Sequence, residues 1–206
     1  MEYPKVHSLW KRKGWYFDEQ CKKDPSKQKG RQSFIVGDYA CEEFGNIRFG
    51  GRTKDAQIPC HLLDYLQSTF TPSLLNARFA DKAGIGAEVI LFGEGYGPKI
   101  QSGGYYSTNV GFCLFDVKVG SWWLEKSVVR HKVAEELGVT APPCLMTEAT
   151  EYEIVEFVKE KHFSRFATND PHHKAIMEGV MCRPSKLMLF RNGDPIMFKL
   201  KCKEFV

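Results

Sequence analysis

The stretch Glu88-Val89-Ile90-Leu91-Phe92-Gly93-Glu94-Gly95-Tyr96-Gly97 decides the fold. Four consecutive apolar residues suit a strand covered on both faces of a sheet. The strand then breaks into alternate glycines around one carboxylate. Glycines there let another group approach the main chain closely, so Glu94 is either a solvated residue of a glycine-rich turn or part of a ligand site. A second strand, Gly111 to Val119, follows the glycine-rich Gly93–Gly104 segment. Simple alternation puts Phe115 and Asp116 of that strand on opposite faces. Phe115 reads either as a core ring or as a wall on which a planar ligand could stack.

Two further segments carry charge in a strand context. Glu178-Gly179-Val180-Met181-Cys182-Arg183-Pro184 begins with a carboxylate and ends with a guanidinium. In Lys199-Leu200-Lys201 the two ammonium groups share one strand face, because the side-chain period is two. They repel each other, and an anion such as a triphosphate between them would satisfy both. A solvent-facing edge strand is the other reading.

The order of Gly93–Gly97, Phe112–Asp116, Glu178–Arg183 and Lys199–Lys201 resembles the successive nucleotide-binding motifs of ATP-dependent RNA ligases. These belong to the covalent nucleotidyltransferase superfamily, with DNA ligases and mRNA capping enzymes. The resemblance runs from Tyr3-Pro4-Lys5 to Phe205 and is closer to the compact phage-type ligase domains, notably over Phe49–Gln57, Gly93–Gly104 and Met197–Phe205. It implies an α+β adenylation domain of antiparallel sheets with flanking helices, using ATP and Mg2+. By that resemblance Glu94 binds the ribose, Phe115 stacks on adenine, and Glu178 faces the magnesium. Lys199 and Lys201 meet the triphosphate, and Arg52, in Phe49-Gly50-Gly51-Arg52-Thr53, touches phosphate or the RNA end. The implied partner is RNA with 5′-phosphate and 3′-hydroxyl ends, joined through a lysyl-adenylate in RNA repair or a related pathway. The chain ends soon after Lys201, so the OB-fold domain of DNA ligases and capping enzymes is expected to be absent.

One motif of the resembling family is missing. Its nucleophile is the lysine of Lys-x-Asp-Gly, and that tetrapeptide occurs nowhere in the 206 residues. In the family a stretch like Gly37–Ile47 is followed by a strand, the Lys-x-Asp-Gly turn and another strand before the equivalent of Arg48–Arg52. Here Ile47 joins Arg48 directly. The absent piece is two central strands and a turn, roughly 20 residues at usual strand lengths. The covalent step requires one deprotonated lysine in line with the α-phosphate, and near-attack geometry tolerates little displacement. Lys54, the nearest lysine after the join, has nothing to put it in line. The expected catalytic set is therefore empty, and the sheet beside the join is expected to keep unpaired backbone groups. The alternative reading is a non-catalytic module that binds a nucleotide or an RNA end.

Composition is compatible with this. A chain of 206 residues, 43% hydrophobic and 26% charged, makes one domain with a real core. Between Lys5 and Arg31 there are nine basic and three acidic residues, an excess of six against +4 for the whole chain. We divide the chain into a basic segment, 1–33, and a ligase-like domain, 34–206. The basic segment is either a phosphate-tracking surface or a solvated arm. The seven cysteines form no Cys-x-x-Cys pair, and no apolar run is long enough for a bilayer. Reduced thiols in a cytoplasmic protein without membrane contact are the expectation. The spacing of His172-His173 and Cys182 matches no zinc pattern.

Remaining elements follow from periodicity and punctuation. Phe34–Val36 reads as a strand entering a turn at Gly37-Asp38. Ile58–Phe70 is helical, with Leu62, Leu63, Leu66 and Phe70 on one face. Ser127 can cap a helix that stops at Gly138, and Thr150-x-x-Glu153 is a capping box. Lys186–Phe190 and Ile196–Leu200 form a hairpin about Asn192-Gly193, a pair suited to positive φ values. Strands dominate with helices between them, which is the α+β class.

Overall fold

The computed structural model describes residues 7–8, 33–40, 43–51, 57–83, 87–100, 106–167 and 175–205. Arg52, Lys54, His172 and His173 lie outside these. The elements in chain order are β1 (His7–Ser8), β2 (Ser33–Ala40), β3 (Glu43–Gly51), α1 (Cys60–Thr69), α2 (Pro72–Ala83), β4 (Glu88–Tyr96), β5 (Gly111–Val119) and β6 (Trp122–Trp123). They continue as α3 (Lys126–Val128), a π turn (Val129–Val133), α4 (Ala134–Glu136), α5 (Glu151–Lys159), β7 (Gly179–Cys182), β8 (Phe198–Lys201) and a 3₁₀ turn (Cys202–Phe205).

Two sheets result. The larger has the order β3-β2-β4-β5-β6 and is antiparallel throughout. The smaller has the order β1-β8-β7, with β1 parallel to β8 and β7 antiparallel to it. Alternation along β4 sends Val89 and Leu91 to one face of the larger sheet and Ile90 and Phe92 to the other. The first face carries the main core. There α1 contributes Leu62 and Leu66, its C-cap Phe70 adds a ring, α2 contributes Leu75 and Phe79, and the π turn contributes Val129 and Val133. These pack on Phe112, Leu114 and Val117 of β5. The second face, with Ile90, Phe92 and Trp123, meets Met197 just ahead of β8. Behind the smaller sheet, Val158 of α5 packs on Leu200 and Cys202. Helices, sheet, sheet and helix are thus stacked, with the two sheets facing each other in the middle.

Several expectations need correction. The turn expected at Gly37-Asp38 is absent: β2 runs through both residues, with a register irregularity only at Asp38/Tyr39. The join at Ile47–Arg48 leaves no gap, because both residues lie inside β3, opposite Gly37 and Val36. β3 pairs with β2 on one side only and forms an edge of the larger sheet. Ser127 is not a cap; the helix begins one residue earlier, after Glu125, without a side-chain cap bond. At Asn192-Gly193 only Gly193 has a positive φ, 82°, so the turn is not of the doubly left-handed kind. Helix α2 was not foreseen.

Other expectations stand. Gly138, with φ 66°, ends the helical run. The Thr150–Glu153 capping box is formed in both directions. Leu62, Leu66 and Phe70 are buried on one helix face, with Leu63 at its margin.

Candidate functional site

The glycines around Glu94 serve packing. A Cβ on Gly93 would meet the Phe112 ring at 2.2 Å, and one on Gly95 would meet the Leu62 side chain at 2.4 Å. Protein side chains, rather than a ligand, fill the space the glycines leave. Close fit against the core side forces Glu94 onto the opposite side, the face turned to the smaller sheet, where it pairs in register with Cys113.

β5 departs from simple alternation at its centre. The register passes from Phe92↔Asp116 to Gly93↔Leu114, so Phe115 is the inserted residue of a β-bulge. An inserted residue shifts the alternation that follows by one. Phe112 and Leu114 before it, and Val117 after it, therefore all reach the main core. Phe115 instead packs with Ile90, Phe92, Trp123 and Met197. Asp116, opposite Phe92, lies on that same side. The expectation that Phe115 and Asp116 point to opposite faces is overturned by the bulge.

In the smaller sheet the face expected for Lys199 and Lys201 is present. Met181 pairs with Lys199 and Gly179 with Lys201, while the alternate residue Leu200 is fully buried against α5. Glu178, immediately ahead of β7, accepts an ion-pair hydrogen bond from Lys201 Nζ. Glu94 belongs to the same neighbourhood although it comes from the other sheet. Its surface remains open to solvent on one side. Even so, enclosure by the surrounding protein, then the Glu178 charge, raise its carboxyl above the usual value, and Lys201 partly offsets this. Glu94, Glu178 and Lys201 thus form one electrostatic unit spanning the gap between the sheets.

Four contacts near this site were missed by sequence reading, although Asp116 and Arg183 were each singled out there. Tyr106 has its hydroxyl pushed upward by burial and then by Glu94 and Glu178. Its ring is 5.5 Å from Phe166, which is 5.1 Å from Tyr96. This aromatic cluster joins β4 to the loop after α5, a long-range contact with no local signal. Asp116 and Arg183 form a two-pronged pair between the sheets, with Nη1 2.9 Å from Oδ1 and Nη2 bonded to Oδ2. Lys126 donates from Nζ to the Phe115 carbonyl. Trp123 Nε1 adds a bond to the Gly193 carbonyl at 3.0 Å. Of the expected site residues, Glu94, Glu178 and Lys201 are brought together. Lys199 lies on the same strand face, and Phe115 lies on the facing sheet. Arg52 is outside the described residues.

Glu94 and Glu178 carry hard carboxylate oxygens of the kind magnesium takes; burial, then the Glu178 charge, raises the Glu94 carboxyl, and Glu178 itself pairs with Lys201. Among the described residues no group of three or more His, Cys, Asp and Glu is placed to hold a metal.

Comparison with known proteins adds the fold. No family model matches the sequence, and no curated protein matches it. Among solved structures the chain is similar to an RNA ligase from Naegleria gruberi, determined with PPi. The two share a TM-score of 0.56 and 16% identity over 87% of this chain and 48% of the ligase. The chain therefore has the fold of part of an RNA ligase and spans about half of that protein's length.

Proposed function

We propose that this chain is an RNA-ligase-like domain of the nucleotidyltransferase kind that holds ATP and magnesium between its two sheets but does not form a lysyl-adenylate. The observation that carries this reading is the meeting of Glu94, Glu178 and Lys201 from two sheets in one electrostatic unit. Phe115 takes the adenine, Glu94 the ribose, and Lys199 with Lys201 the triphosphate. Arg52 contributes to phosphate or to the RNA end. Magnesium sits against Glu178, where it would neutralise charge on the phosphates. The parent reaction is the ATP-dependent joining of 5′-phosphate and 3′-hydroxyl RNA ends. This chain lacks the Lys-x-Asp-Gly nucleophile for it.

A second reading, a binding module that holds a nucleotide or RNA end without joining it, is favoured by one observation. β3 is paired with β2 through Ile47 and Arg48, so the strand runs unbroken across the join. Calorimetric titration with Mg·ATP tests the shared core of both readings. Saturable binding is expected, weakened at least tenfold by Lys199→Ala or Glu94→Ala, on the scale of about 1.5–3 kcal/mol for a lost charged hydrogen bond. If Mg·ATP produces neither heat nor a shift in melting temperature, the nucleotide site is refuted.

A further inference from the structure

Lys126 is a largely enclosed amine that none of these roles uses. It opens α3 just after β6, and its side chain returns to β5, where Nζ donates to the Phe115 carbonyl. That carbonyl belongs to the inserted residue of the bulge. A bulge disrupts the ladder and re-aims its side chain, so a donor at this point controls where the Phe115 ring is held. The charged groups that act on Lys126 come from three elements. Asp116 and Cys113 belong to β5, Arg183 follows β7, and Arg130 lies on the lysine's own helical run. A cavity of about 100 Å³, lined in part by Lys126, Arg183 and Lys186, opens beside it.

We propose that Lys126 is the positioning residue for the nucleotide base: its bond to the Phe115 carbonyl fixes the bulge, and with it the ring on which the base stacks. The inference rests on the reading of Phe115 as the stacking platform. Burial, the largest influence, and the positive charges of Arg183 and Arg130 oppose the ammonium, while Asp116 favours it; the amine's pKa falls to about 8. Loss of the proton turns a charge-assisted hydrogen bond into a weaker neutral one and ends the attraction to Asp116. Base binding therefore weakens as pH rises through about 8.

Folding stability moves the other way. The amine titrates at 10.5 when unperturbed and at about 8 when folded. Between those values the unfolded chain binds more protons, so this group's contribution to stability rises with pH. A lysine with a purely structural role gives the stability trend without the binding trend.

The test is titration of the whole chain at pH 7 and pH 9 with two probes, Mg·ATP and magnesium tripolyphosphate, which lacks a base. ATP affinity is expected to fall about fivefold between the two pH values, the difference between a charged and a neutral hydrogen bond. Tripolyphosphate affinity is expected to stay constant. Lys126→Arg, which keeps its charge, abolishes the pH slope, and Lys126→Met at pH 7 reproduces the weaker ATP binding of the wild type at pH 9. The wild-type profile decides even if the Met variant does not fold. Equal slopes for both probes, a flat ATP profile, or an unchanged slope in Lys126→Arg overturns the inference alone. Absence of ATP binding at pH 7 overturns the nucleotide site and this inference with it.

Discussion

Asp116 is 1% exposed and carries a carboxylate whose two oxygens are both taken by Arg183. Removing one member of such a pair strands the other charge away from water, at a cost of about 3–5 kcal/mol. Arg183→Met is therefore expected to lower unfolding free energy by that amount in urea denaturation. Adding Asp116→Asn should recover a large part, because the stranded charge goes with it. A loss below about 1 kcal/mol in the single variant would contradict the pairing. At this scale the sequence was partly legible. Arg183 was recognisable as the cation ending its strand, and Lys199 and Lys201 as a same-face pair. The pairing of Arg183 with Asp116, 67 positions away, was not legible. A β-bulge leaves no mark in a run of apolar residues, so Phe115 and Asp116 were placed on the wrong sides of each other.

Element boundaries were readable wherever a side chain bonds to its own backbone. The Thr150–Glu153 box is one case: the Glu153 backbone N–H donates to Thr150 Oγ1, and the Thr150 N–H donates to Glu153 Oε2 at 2.7 Å. Thr150→Ala is expected to cost about 1 kcal/mol, read as a lower melting temperature with secondary structure unchanged at 25 °C. An unaltered melting temperature would mean that α5 is held by Val158 on Leu200 alone. Helix α2 carried a comparable signal that went unread: Thr71 Oγ1 accepts from the Leu74 N–H, and Pro72 occupies the first helical position. Its buried apolar positions, Leu75 and Phe79, equal those of α1 in number but are separated by Asn76, Ala77 and the charged Arg78, which weakened the periodicity. Ser127 misled for the opposite reason. It is a good capping residue by type, yet the chain turns into the helix one residue before it, where Lys126 is drawn back to Phe115.

At the scale of the whole molecule, the site is a property of two sheets brought face to face. Asp116–Arg183 and Trp123–Gly193 tie the larger sheet to the segments flanking β7 and β8, and the Tyr96–Tyr106–Phe166 rings tie β4 to the loop after α5. None of these contacts is close in sequence, so the facing of the two sheets could not be built from the motif order. The α+β class and the antiparallel sheets were legible, and they agree with the fold shared with the Naegleria ligase. At the join, β3 runs on unbroken and pairs with β2, and it forms an edge of the sheet. The proposed function is nucleotide binding without the covalent step, on a chain that has no Lys-x-Asp-Gly. Intact-mass analysis of the whole chain after incubation with ATP and magnesium tests this most directly. The expected result is an unchanged mass under conditions where Mg·ATP binding saturates. A stable gain of one AMP on a single lysine, with Lys126 and its lowered pKa the first position to map, would contradict it.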